Sequence, residues 1–162
     1  MFLALIPKKD KPRTFADFRP ISLCNLLYKL IAKVIARRLK PFLDLGISQE
    51  QFRFLKDRQI TEPIGIVQEV LHSVKTQNLC TFVLKLDLTK DFDRVDWTLV
   101  ILILIQIGVP LLSVNWIMGC LSTANFAVLI NGTPSNFFTA TRGIRQGCPL
   151  SPLLYLVSKL GG

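Results

Sequence analysis

Four aspartates, Asp87, Asp91, Asp93 and Asp96, fall within ten positions of the stretch VLKLDLTKDFDRVDW, residues 83–97. Carboxylates so placed either hold a hard cation or line a solvated turn. A calcium loop is excluded. Counting from Asp87, the sixth position, which needs Gly for its sharp bend, is Phe92, and the twelfth, which needs Glu, is Thr98. Magnesium asks less of a protein, because a carboxylate or two suffice when substrate phosphates and water complete the shell. Spacing alone leaves Asp87 balanced between such a ligand and a solvated strand end. Asp91, Asp93 and Asp96 read as turn and cap residues, whose short side chains bond nearby backbone N–H groups.

Other chemistry-bearing residues are sparse. Cys24, Cys80, Cys120 and Cys148 form no Cys-x-x-Cys pair, so neither a zinc site nor a disulfide framework is indicated; they read as small buried hydrophobes. His72 is the one histidine and has no companion ligand beside it. Basic residues are plentiful. The net charge is +9, and residues 1–60 hold thirteen Lys/Arg against five Asp/Glu, whereas no Asp or Glu follows Asp96. An acidic partner is expected, nucleic acid before an anionic membrane surface. Phe52 and Phe54 interleave with Arg53, Lys56 and Arg58, the combination that stacking and phosphate contact require. Lys29, Lys33, Arg37 and Lys40 form a basic stripe, for which a solvated helix face outweighs a phosphate track.

The elements that must position these residues follow from periodicity. Residues 1–20, broken by Pro7, Pro12 and Pro20, read as extended or looped. Residues 22–41 predict a helix capped by Ser22 and ended by Pro41, burying Leu23, Leu26, Leu27, Leu30, Ile31, Val34, Ile35 and Leu39. A second helix over 61–77 places Ile64, Ile66, Val67, Val70, Leu71 and Val74 inside. Alternation over 80–88 predicts a strand with Asp87 at its carboxyl end, and Asp96 caps the helix that follows. Residues 98–121 are long enough to span a bilayer. Gln106, Gly108, Pro110 and Asn115 interrupt them, so two buried helices joined at 108–110 fit better. Asn131-Gly132 predicts a type I′ hairpin, and a Gly/Pro loop over 143–149 runs into a helix begun near Ser151 and Pro152. The opening residues are too short for a signal peptide.

The segments FRPISLCNLLYKLIAKVIARRLK, KLDLTKDFDRVDW, VLINGTPSNFF and GIRQGCPLSP, in this order, resemble the reverse transcriptase domain of LINE-type non-LTR retrotransposons, the plant members most of all. The resemblance implies an α+β chain that supplies the fingers and partial palm of a right-hand polymerase, with 1–79 fingers-like and 80–162 the first part of the palm. It implies RNA-directed DNA synthesis from an RNA template, a DNA primer and deoxynucleotides. In the family, Asp87 and the main-chain carbonyl of Leu88 match the Mg²⁺ ligands, and Asp87 is the catalytic carboxylate. Phe92 matches the aromatic residue beneath the sugar, and Arg58 a basic residue near the triphosphate. Gln146 and Gly147 belong to the loop lining the nucleotide pocket. Lys29, Lys33, Arg37, Arg53, Lys56 and Arg145 would then meet nucleic acid.

Departures accompany the resemblance. Asp91 stands where the family has a small residue, Cys148 where it commonly has Asp, and Asp57 where it often has Gly. The second acidic turn, typically Ala-Asp-Asp, is absent, since no acid follows Asp96. The two-ion chemistry needs both carboxylate sources. The expectation is therefore a polymerase fragment, intracellular, that is inactive alone. The alternative is a non-catalytic nucleic-acid-binding module using the basic fingers.

Overall fold

A computed structural model of the chain describes residues 1–46, 61–84 and 91–160. The N-terminal residues, expected to be extended or looped, pair into a sheet. Strand β1, Phe2–Pro7, runs antiparallel to β2, Phe18–Leu23, from Phe2↔Leu23 to Pro7↔Phe18. Pro20 is tolerated because β2 is the sheet edge, where a missing N–H breaks no second ladder. Asp17 ties the connecting turn. Its carboxylate accepts from the Arg13 and Thr14 amides and pairs with Lys9 at 2.8 Å, which holds it well below the usual carboxylate range. On the other side of β1 lies β3, Asn125–Ile130, in parallel register Phe2↔Ala127 to Ala4↔Leu129. Two short strands complete the sheet: β4, Thr133–Pro134, and β5, Phe138–Thr139, both antiparallel to β3. Between β3 and β4, Asn131 and Gly132 take φ of 51° and 82°, the positive pair that a type I′ turn requires.

Helices form the core. α1 is Leu26–Gly46, α2 Thr61–Thr76, α3 Asp91–Arg94, α4 Trp97–Gln106, α5 Leu111–Ser122 and α6 Ser151–Lys159. α4 packs on α5 and α6, and α1 packs on both of these. Leu43, Val100, Leu104, Val114, Ile117, Leu150 and Leu154 are buried where they meet. Asp96 caps α4 as expected, accepting from the Thr98 amide at 2.7 Å and the Leu99 amide at 3.4 Å. Gly108, at φ 82°, turns the chain from α4 into α5. The uncharged run is thus two helices, and no described helix is long and apolar enough to cross a membrane.

Several expectations need correction. α1 starts later than expected: Asn25, not Ser22, caps it, its Oδ1 accepting from the Tyr28 amide at 2.8 Å, while Ser22 lies buried in β2. α1 also runs through Pro41 to Gly46, losing one backbone bond without ending. Its buried face is Ala32, Ile35, Ala36, Leu39 and Leu43. Leu23, Leu26, Leu27, Leu30, Ile31 and Val34 are exposed, with Leu26 at 74%. The two alanines explain the rotation, since small residues let α5 and α6 approach closely. Leu30, Ile31 and Val34 instead border an open apolar groove of about 890 Å³ against Trp116 of α5.

α2 likewise forms as expected, but its apolar face is uncovered: Ile64, Ile66, Val67, Val70 and Leu71 are each about half exposed. Finally, residues 80–84 of the expected strand have no regular structure, and Phe82 is 97% exposed. Alternation favours a strand only where another strand offers its backbone groups. The described strands instead pair among themselves.

Candidate nucleic-acid interface

The one-turn helix α3 carries the DFDR part of the acidic stretch, and the 143–149 loop clamps it. The Gly143 amide donates to the Val95 carbonyl and the Ile144 amide to the Phe92 carbonyl, both at 2.8 Å. The Trp97 indole N–H closes the clamp on the Gly143 carbonyl at 2.7 Å. Gly143 has φ 85°, and a Cβ there would lie 2.9 Å from the Asp93 carbonyl oxygen, so only glycine fits. Held this way, Phe92 stacks on Tyr155 of α6, with ring centres 4.9 Å apart and planes 9° from parallel. The Tyr155 hydroxyl donates to Asp91 Oδ2 at 2.7 Å, and the Lys159 ammonium lies 5.2 Å from the Tyr155 ring centre. Asp91 therefore fixes the ring that supports Phe92.

The far side of the loop is fastened to the sheet. The Ser22 amide donates to the Gln146 carbonyl at 2.8 Å. Gly147, at φ 100°, passes so close that a Cβ would sit 3.1 Å from the Ser22 oxygen. Gln146 and Ser22 border a small cavity of about 150 Å³ with Asp93, Trp97, Arg142 and Arg145, room for a few waters but not for a nucleotide.

Arg145 departs from its expected place against nucleic acid. It is 6% exposed, its Nη2 donates to the Leu121 carbonyl at 2.9 Å, and its guanidinium lies over Tyr28 at 5.0 Å and Phe126 at 5.3 Å. The two aromatic faces partly replace the water that the cation has lost. Nη1 is buried with no hydrogen-bond partner among the described residues. The side chain thus ties α1, the end of α5 and β3 to the loop rather than meeting solvent. Beside it, the Tyr28 hydroxyl lies 3.4 Å from Cys148 Sγ and from the Cys120 carbonyl, and burial pushes its pKa far up. Burial likewise raises the Cys24 and Cys120 thiols. Cys148 is buried as expected of a small hydrophobe, whereas Cys80 is exposed.

The expected site residues thus divide. Phe92, Gln146 and Gly147 gather around one loop. Lys29, Lys33 and Arg37 stand exposed on α1. Asp87, Leu88, Arg53, Lys56 and Arg58 lie outside the described residues. Tyr155 and Trp97, the residues that set Phe92 and Gly143, carried no signal in the sequence beyond helix periodicity. Among the described residues, no three His, Cys, Asp or Glu side chains gather where they could hold a metal. Asp91 is engaged by Tyr155, and Asp96 caps the start of α4.

The sequence pattern of the reverse transcriptase (RNA-dependent DNA polymerase) family matches residues 6–158. The chain belongs to that family. As a reverse transcriptase domain of the non-LTR retrotransposon type, it has relatives in animal mobile elements. It is 35% identical over 153 residues to the "Transposon TX1 uncharacterized 149 kDa protein" of Xenopus laevis, covering 94% of this chain and 12% of that protein. It is 26% identical over 156 residues to the "Retrovirus-related Pol polyprotein from type-1 retrotransposable element R2" of Popillia japonica, covering 96% and 22%. It is 31% identical over 157 residues to the "Probable RNA-directed DNA polymerase from transposon X-element" of Drosophila melanogaster, covering 94% and 17%. The reverse transcriptase domain thus spans less than a quarter of the length of these relatives. Its mixed helix and sheet content fits part of a reverse-transcriptase-like polymerase fold.

Proposed function

We propose that this chain forms the fingers, residues 1–79, and the first part of the palm, residues 80–162, of an RNA-templated DNA polymerase. The observation that carries the reading is the Phe92 ring, stacked on Tyr155 and fixed by the glycine loop that also holds Gln146 and Gly147. A rigid aromatic beside a loop that lets backbone come close suits a deoxynucleotide sugar, because a fixed ring discriminates by shape. Asp87 and the Leu88 carbonyl are the proposed Mg²⁺ ligands, and Arg58 the proposed triphosphate contact. When bound, such ions activate a primer hydroxyl and stabilise charge at the phosphorus. No Asp or Glu follows Asp96, so no downstream carboxylate of these 162 residues completes the set. The chain alone is then inactive. Its partners are an RNA template, a DNA primer and deoxynucleotides, and its site of action is intracellular, in nucleus or cytoplasm.

The test is primer extension on an RNA template with Mg²⁺, alongside binding of the same primer–template. Binding without synthesis is expected. Synthesis abolished by Asp87→Asn would overturn the half-site reading. Absence of binding at low salt would overturn the polymerase reading altogether.

A further inference from the structure

A second surface lies between α1 and the entry to α6, and nothing in the loop geometry above uses it. Lys33, Arg37 and Lys40 of α1 line one wall of a groove of about 440 Å³. Pro149, Pro152 and Leu153, at the entry to α6, line the other. Steps of four and three residues put the three cations on one helix face, spread over about 10 Å of axis. All three are exposed, and no described ion pair neutralises them. No carboxylate among the described residues lines the groove, and none can come from the α6 wall, because the chain has no acid after Asp96. Asp44 stands a turn beyond Lys40 and does not border it. The N-terminal end of α6 opens on the same space and adds positive potential through the helix dipole.

We infer that this groove carries the sugar–phosphate backbone of a single nucleic-acid strand, a role that rests on the polymerase reading and extends it to a named surface. The cations are spaced to meet two or three successive phosphates. Pro149 and Pro152, half-buried above the sealed Leu153, offer apolar contact to sugars or base faces, without hydrogen-bond groups that would select a sequence. All three cations lie on one wall along about 10 Å of helix, a footprint for one backbone rather than for the two of a duplex. A membrane surface fits less well, because the apolar residues are recessed in a concavity rather than presented for insertion.

The test is a fluorescence-anisotropy titration of the 162-residue chain with a mixed-sequence single-stranded RNA oligonucleotide across salt concentration. The variants are Lys33→Ala/Arg37→Ala/Lys40→Ala, the charge-preserving Lys33→Arg/Arg37→Lys/Lys40→Arg, and Lys75→Ala on α2 as a distant control. Each neutralised phosphate contact on a single strand contributes about 0.7 to the log–log salt slope, so the triple alanine variant should lose about 2. Raising salt from about 50 to 200 mM should then weaken the wild type roughly twentyfold more than the variant. The charge-preserving variant and Lys75→Ala should keep the wild-type slope, and circular dichroism should be unchanged throughout. A wild-type slope in the alanine variant would overturn the groove while leaving the polymerase reading in place. Wild-type chain that binds no RNA would overturn both. Duplex competing as well as single strand would overturn the single-strand assignment. Anionic phosphatidylserine vesicles binding with the same three-residue dependence, and not displaced by RNA, would reassign the groove to a membrane surface.

Discussion

α2 and the α4–α5 pair start from the same material and end in opposite surroundings. α2 repeats Ile64, Val67, Val70 and Leu71 at helical steps and leaves them about half exposed, with Val67 at 52%. α4 and α5 are no better patterned, yet Val100, Leu104, Val114 and Ile117 are all but sealed from water. Local preference makes a helix in both cases. What differs is company: α4 and α5 meet α1 and α6, while no described element packs extensively on α2. Periodicity sets which residues share a face. Whether that face is buried depends on a partner whose arrival no window of residues encodes.

The comparison can be broken or sharpened by mutation, read as urea denaturation midpoints. Leu154→Ala, in the fully buried heart of α6, should cost about 2–5 kcal/mol through lost burial and a cavity. A cost under about 1 kcal/mol would mean that the helical core is loosely packed. Next comes Gly143→Ala, where positive φ and the nearby Asp93 carbonyl leave no room for a methyl group; about 1–3 kcal/mol is expected. If the variant matched the wild type, the clamp on α3 would have to be looser than drawn. Asp96→Ala removes the α4 cap and should lower stability by about 1 kcal/mol. The smallest effect belongs to α2: Val67→Ala should change stability by no more than about 0.5 kcal/mol, because little burial is lost and helix propensity improves. A loss above about 1 kcal/mol would show that α2 has a partner in solution, and would erase the contrast.

Features written by short-range chemistry were legible in advance. The Asn131-Gly132 hairpin, the Asp96 cap, the break at Gly108 and the start of α6 at Ser151 and Pro152 each follow from a few adjacent residues. Features made by distant contacts were not. The parallel pairing of β1 with β3, the rotation of α1 towards Ala32 and Ala36, and the burial of Arg145 between Tyr28 and Phe126 join residues far apart in the chain. The candidate site shows the same split. Phe92, Gln146 and Gly147 could be picked out by resemblance, but Tyr155, 63 residues beyond Phe92, is recognisable as its support only once α6 is packed. Residues 80–84, irregular where a strand was expected, mark the limit of the pattern, since alternation supplies a face but not a neighbour.

The parallel register of β1 with β3 also sets a timetable for the growing chain. Phe2 waits for Ala127, and at about 5–20 residues per second a ribosome needs roughly 6–25 s to make what lies between. Through that interval the β1–β2 hairpin carries an unpaired inner edge, FLALI, that any other extended apolar segment could occupy. Synthesis speed and chaperone supply then bear directly on how much of the chain reaches this fold.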